Sequence, residues 1–249
     1  MKSKNFEFLR EHNPALANLG GLAEAVLHID PGSALTRLRS FGEELTKSIY
    51  GEEKLPQMPR ASFNELIRDR SFEASIDRSL MHQLHFLRVQ GNDTAHGAEG
   101  NVRAACMSLG TAHQLGAYMG IKYYGLRKSD IPDFKDIPDP SAELKNLKQT
   151  VSEYKEALDQ KAEEVDELIE TLDKERAKKL DERIEPSDAE QSQKKENSHA
   201  VAASLEWDEA KTRRMMIDVM LMQAGWNPND TEHVIKEMPV EYMDTPTGK

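Results

Sequence analysis

Cysteine is almost missing from this chain. Cys106 is the single one among 249 residues, so no internal disulfide framework can form. A reducing compartment fits that scarcity. The opening stretch, "MKSKNFEFLREHNP", lacks the apolar core of a secretory signal. No apolar run approaches the roughly 18–20 residues that span a bilayer. The expectation is a soluble, cytoplasmic chain without a membrane segment. An excess of positive charge is missing as well. The formal net charge is −11, which excludes a generally basic nucleic-acid surface. That deficit is uneven. Residues 1–140 hold 17 Lys+Arg against 18 Asp+Glu, and the remainder holds 16 against 26. Hydrophobic residues make up only 38% and charged ones 31%, so part of the chain is expected as solvated helix or linker.

What is present is mostly helical pattern. In "SALTRLRSFGEELTKSIYG", Leu35, Leu38, Phe41 or Gly42, Leu45 and Ile49 recur on one face. Asp30-Pro31 suits a helix start and Gly51 a stop. Ser62 with Glu65 three residues on reads as a capping box. Ile76, Leu80, Leu84 and Leu87 form another stripe. "AEGNVRAACMSLGTAHQLGAYMGIKYYG" is apolar enough for a central buried helix, with Gly110, Gly116 and Gly120 permitting close helix approach. Residues 1–128 are therefore expected as a helical domain. "KSDIPDFKDIPDP" follows, and 129–140 reads as a Pro-rich, non-helical linker.

Residues 141–184 carry a heptad pattern. Leu144, Leu147, Val151, Tyr154, Leu158, Val165, Leu168 and Leu172 follow 3–4 spacing, with Lys161 interrupting. Such a helix extends on the order of 65 Å at 1.5 Å per residue. A seam this narrow implies a partner helix, and the pattern leaves its identity open. A coiled coil is expected. "EPSDAEQSQKKENSHAVA" is poor in apolar residues, so 185–203 reads as a flexible linker. A second start comes at 204–226, where Ser204 can cap a helix with Met216, Val219, Met220 and Ala224 inward. "TEHVIKEMPVEYM" is the only strand-like stretch. About 45 residues cannot easily form an independent core, so 204–249 is expected to open an α/β domain that it does not complete.

Few residues invite chemistry. Arg88 and His96 flank "VQGNDTA", and metal-free RNA cleavage needs a base near the 2′-hydroxyl and a cation near the phosphate. The bland reading is a corner: Gly91 ends one helix, Asn92-Asp93-Thr94 hydrogen-bond the turn, and His96 packs at the next helix. That reading is favoured. His82 and His85 stand one turn apart, but no third metal ligand has fitting spacing. Cys106 reads as a small buried apolar residue, and Lys194-Lys195 and Arg213-Arg214 are too short for nucleic-acid patches.

Several pieces occur in an informative order: "SKNFEFL" near the start, "GN-x-x-A-H" at 91–96, a charged heptad helix, then "E-A-x-T-R" at 209–213 followed by "AGW" at 224–226. Taken together they resemble the N-terminal part of the restriction (R, HsdR) subunit of type I restriction–modification systems. The resemblance covers almost the whole chain. It implies a helical accessory domain related to HEPN-type domains, then the opening of a PD-(D/E)xK nuclease domain. It implies DNA as substrate of the full complex, methyltransferase and specificity subunits as partners, a role in defence, and ATP and Mg as cofactors of the complete protein. The family's metal-binding Asp and Glu-x-Lys pair follow a "PTGK"-like stretch, and these 249 residues include neither them nor a Walker A motif. The chain by itself is thus expected to have neither ATPase nor endonuclease activity. Glu209 is at most an accessory acid of the nuclease site. HEPN-type ribonucleases space Arg and His by four to six residues with a polar residue after the Arg, whereas seven intervene here and Val89 follows. A stand-alone HEPN-like ribonuclease or toxin component using Arg88 and His96 is the alternative, and a coiled-coil oligomerisation protein a further one. The expected fold class is mainly α: a helical domain, a long coiled-coil helix, then the first helix and strand of an incomplete α/β nuclease domain.

Overall fold

Two Xaa-Pro pairs start the first two helices. In α1, Pro14–Val26, the Asn13 side chain accepts a hydrogen bond from the Leu16 N–H at 3.0 Å. In α2, Pro31–Glu52, Asp30 does the same for the Ser33 N–H at 3.0 Å. Each cap serves an orphan donor, and each proline occupies a position that has no hydrogen bond to lose. Asp30-Pro31 acts as the sequence predicts. Gly51 does not stop α2, which runs one residue further and closes on the Glu53 N–H.

The structure is a computed structural model that describes residues 2–56, 60–95, 101–139, 148–178, 186–205 and 220–221. Among these, all regular elements are helical and no strand occurs. The strand-like 231–243 and Glu209 lie outside the described residues. After α2 come α3 (Phe63–Arg68), α4 (Arg70–Ser75), α5 (Arg78–Ala95), α6 (Val102–Tyr123), α7 (Lys148–Lys178) and α8 (Asp188–Ser204), with short 3-10 turns at Glu7–Leu9 and Lys128–Asp130. The Ser62–Glu65 capping box of α3 is formed in both directions.

The hub is α2 rather than α6. It packs against α1, α5 and α6. Leu35, Leu38, Phe41, Leu45 and Ile49 are buried on it, as their spacing predicts. Ala34, Gly42 and Thr46 are buried too, so neighbours approach from more than one side. Each fully buried Leu or Phe contributes about 1.5–3 kcal/mol relative to exposure. α6 is buried along much of its length, but only part of its glycine prediction holds. Gly110 has open space beside it, Gly116 faces Leu9, Phe8 and, on α2, Phe41, and Gly120 faces Leu126 and Ile131 rather than a second helix.

The described part of the heptad helix finds its cover in this same chain. α7 packs against α1, and Leu158, Ala162 and Val165 are buried. Lys161 therefore does not interrupt the stripe, because Ala162 takes the inward place. Three ion pairs join α7 to α2: Arg37–Asp166 at 3.0 Å, Lys47–Asp173 at 2.6 Å and Arg176–Glu44 at 2.6 Å. Arg37 lies opposite Asp166, and about two turns further on Glu44 and Lys47 lie opposite Arg176 and Asp173, so the two helices run parallel. Glu44 is 1% exposed and meets Arg176 through both carboxylate oxygens. At such burial the pair holds only while both partners stay.

The flexible linker expected at 185–203 is instead helix α8. Its start is a capping box, Ser187 with Glu190. α8 packs on α4 and α6, and its Ser198 and Ala202 are buried. Small residues suffice there because neighbouring helices come close. Ser204 is also reassigned. It is the last residue of α8, and its hydroxyl donates to the Val201 carbonyl at 2.7 Å; most of the helix expected at 204–226 lies outside the described residues. Past the 3-10 turn, 131–139 is non-helical as expected. It is not a free linker, however: Asn5 grips Lys135 and His28 meets the Ile137 carbonyl at 2.7 Å. The chain divides into two units, Met1–Trp207 and Asp208–Lys249, which puts α7 and α8 in the first. In the second, Met220 and Leu221 are helical. Among the described residues, no helix is long and apolar enough to cross a membrane.

Candidate functional site

"SKNFEFL" builds a cradle around one carboxylate. Glu24 of α1 accepts from the Ser3 hydroxyl, the Lys4 N–H and the Asn5 N–H, each at 2.8 Å. The Ser3 hydroxyl oxygen in turn accepts from the Phe6 N–H at 2.8 Å. Phe6 lies so close over Gly20 that a Cβ there would meet its ring at 2.4 Å. The Asn5 amide faces the other way: it donates to the Lys135 carbonyl at 2.9 Å and accepts from the Lys135 N–H at 2.8 Å. His113 closes this side, edge-on to Phe8 and tilted against Phe134. Burial pushes its pKa down, so it is held as neutral imidazole. The backbone N–H groups of Ser3, Lys4, Asn5 and Phe6 and the Ser3 hydroxyl all have acceptors inside the fold, which marks the motif as structural.

The stretch 88–96 is arranged differently from its sequence reading. Gly91 does not end a helix, since α5 runs through it to Ala95. Its role is close approach. A Cβ there would sit 2.4 Å from the Arg39 Cβ and 2.9 Å from the Leu35 carbonyl. The missing side chain lets α2 cross α5, and the Arg39 Nε then donates to the Asn92 Oδ1 at 2.9 Å. Asn92 thus serves a neighbouring helix, not a turn. Arg88 stands one turn earlier on α5, half-buried, and among the described residues its buried Nε has no acceptor. Burial, then the charges of Arg68 and Arg39, lowers its pKa. His85 is lowered by burial and by Arg88, Arg68 and His82. His96 lies outside the described residues.

A second polar cluster escaped the sequence reading. The Asp77 N–H donates to the buried Ser198 hydroxyl at 2.8 Å, the Tyr118 hydroxyl meets the same oxygen at 2.8 Å, and His199 Nδ1 is 2.9 Å from Asp77 Oδ2. Burial raises the Asp77 pKa, but hydrogen bonds from His199 and Ser79 outweigh it and hold the carboxyl below its ordinary value. A Ser, a His and an Asp are therefore adjacent, yet His199 bonds Asp77 from solvent while Ser198 is fully buried and engaged. Nucleophilic catalysis needs the His on the hydroxyl, so this cluster joins α5, α6 and α8 mechanically. Beside it, Glu53 gathers Lys122, the Tyr123 hydroxyl and Lys194.

Among the described residues, no three His, Cys, Asp or Glu side chains gather where a metal could sit, so His82 and His85 find no third ligand there. Cys106 is half-buried with its thiol pKa pushed up, first by burial and then by Asp136, which is the opposite of an activated nucleophile.

No family model matches the chain, and no solved structure matches it. Over 140 residues it is 29% identical to the endonuclease subunit of the type I restriction enzyme EcoKI of Escherichia coli strain K12. The stretch is 56% of this chain and 11% of that relative, so the chain spans only a small part of the relative's length. The chain is thus similar, over somewhat more than half of its residues, to a type I restriction endonuclease subunit.

Proposed function

We propose that this chain is an accessory and assembly region of the R subunit of a type I restriction–modification enzyme, acting in defence against foreign DNA. The observation that carries the reading is the 29% identity over 140 residues. The motifs "SKNFEFL" and "GN-x-x-A-H" support it from the sequence side. In this reading, 1–128 is a helical accessory domain of HEPN-like type, on which α7 and α8 pack. The exposed, charged side of α7, opposite the stripe packed on α1, serves contact with methyltransferase and specificity subunits. The segment from about 204 leads into a PD-(D/E)xK nuclease domain, and ATP and Mg act in domains beyond these residues. DNA is then engaged by the assembled complex.

Co-expression with the methyltransferase and specificity subunits of the same host tests this. The chain is expected to co-elute with them on size exclusion. A chain that elutes alone, at every ratio of the three, overturns the reading.

A further inference from the structure

We propose that Arg39, Arg68 and Arg88 form a binding site for a phosphate group, on the face where α2, α3 and α5 meet. The three come from three helices. Arg88 is mid-helix on α5, and His85 precedes it by one turn on the same face. Arg68 is exposed in the last turn of α3. Arg39 reaches across from α2 and is held in place at two points: its Nε bonds Asn92 at 2.9 Å, and its guanidinium carbon lies 6.0 Å from the centre of the Phe63 ring. Phe63 opens α3, so one ring links two of the three arginine-bearing helices.

The group is short of negative partners. Arg39 has Glu43 at 3.6 Å. Neither Arg68 nor Arg88 makes an ion pair or hydrogen bond among the described residues, and the buried Nε of Arg88 has no acceptor. A buried donor without an acceptor costs free energy, and such a group asks for an explanation. Like charges clustered together add repulsion. Both costs vanish when an anion with several acceptor oxygens enters, and guanidinium forks match phosphate in shape and charge. In a chain of net charge −11, this face runs against the overall field. The lowered pKa values of Arg88 and His85, each caused first by burial and then by neighbouring cations, agree with it. The phosphate can come from the backbone of a nucleic-acid strand or from a free phosphate or mononucleotide. The inference does not depend on the restriction-subunit reading.

The test uses the full chain and two probes. One is a short fluorescein-labelled single-stranded oligonucleotide, followed by anisotropy. The other is inorganic phosphate, followed by the NMR shift of the Arg88 Nε–Hε pair. Arg68→Gln and Arg88→Gln are each expected to weaken binding about tenfold, the scale of one lost charge-assisted hydrogen bond. Exposed Arg127→Gln, outside this face, leaves it unchanged. Oligonucleotide binding that weakens in both variants and with salt identifies a strand backbone as the source. A phosphate-induced shift without oligonucleotide binding identifies free phosphate. Arg68→Gln, at an exposed site, keeps the test valid if Arg88→Gln unfolds. Binding of neither probe, or binding indifferent to Arg68→Gln, overturns the site.

Discussion

Residues 3–9 and the Arg88 face of α5 are both polar and both partly buried, and they treat their donors in opposite ways. Around Glu24, each hydrogen-bond donor meets an acceptor inside the fold. Around Arg88, cations meet cations and a donor goes unserved. The contrast separates polarity that builds the molecule from polarity held ready for something outside it. Removing a group from the first region should cost stability. Removing one from the second should cost binding and little else.

The largest effect is expected for Glu24→Ala. It strands a hydroxyl and two N–H groups in a buried cradle, and about 4 kcal/mol of stability should go, read as a lower urea midpoint. A loss below about 1 kcal/mol would mean the cradle is decoration. Arg176→Ala comes next, with about 3 kcal/mol lost because it leaves Glu44 buried and unpaired, whereas Glu44→Met with Arg176→Met should fall within about 1 kcal/mol of the native chain. If single and double variants lose equally, the pair is not the cause. Gly91→Ala should destabilise by about 2 kcal/mol, since the clash with Arg39 and Leu35 outweighs the gain in helix propensity.

Acid gives a smaller, local effect. The hydrogen bond from Arg10 is the main cause that lowers the Glu7 pKa to about 2, against about 4.3 in an unfolded chain. The folded state therefore binds fewer protons between those values. Its contribution to stability is full above about 4.3 and fades as pH falls toward 2. Glu7 is 36% exposed, so solvent screening keeps the energy small. A carboxyl NMR titration with an ordinary midpoint would refute the coupling. Smallest of all is Arg88→Met, expected to shift stability by less than about 0.5 kcal/mol because no internal partner is lost. A large loss there would erase the contrast between the two regions.

Local signals were legible in the sequence, and assembled ones were not. Asp30-Pro31, the Ser62–Glu65 box and the α2 stripe each depend on neighbours within a few positions. The α8 start belonged to the same class: Ser187-x-x-Glu190 repeats the Ser62 pattern. It was hidden by a polar composition that reads as linker. Gly91 misled because glycine breaks helices as readily as it admits a crossing helix, and only the position of Arg39 decides between them. The arginine face could not be read at all. Its members stand at 39, 68 and 88, so no run of basic residues marks it. Likewise, the Asp77–Ser198 hydrogen bond joins residues 121 positions apart.

The grip of Asn5 on Lys135 has a consequence in time. The two residues are 130 positions apart, and closing so long a loop has no reward until the helices between them are in place. That bond is among the last to form as the chain folds. Among the described residues, the two Asn5 bonds, the His28 contact with the Ile137 carbonyl and the Phe134 ring against His113 hold this segment, few enough that it belongs to the part of the molecule that opens first. Hydrogen exchange should find the Lys135 amide in an early-opening unit while the buried amides of α2 still wait for global unfolding.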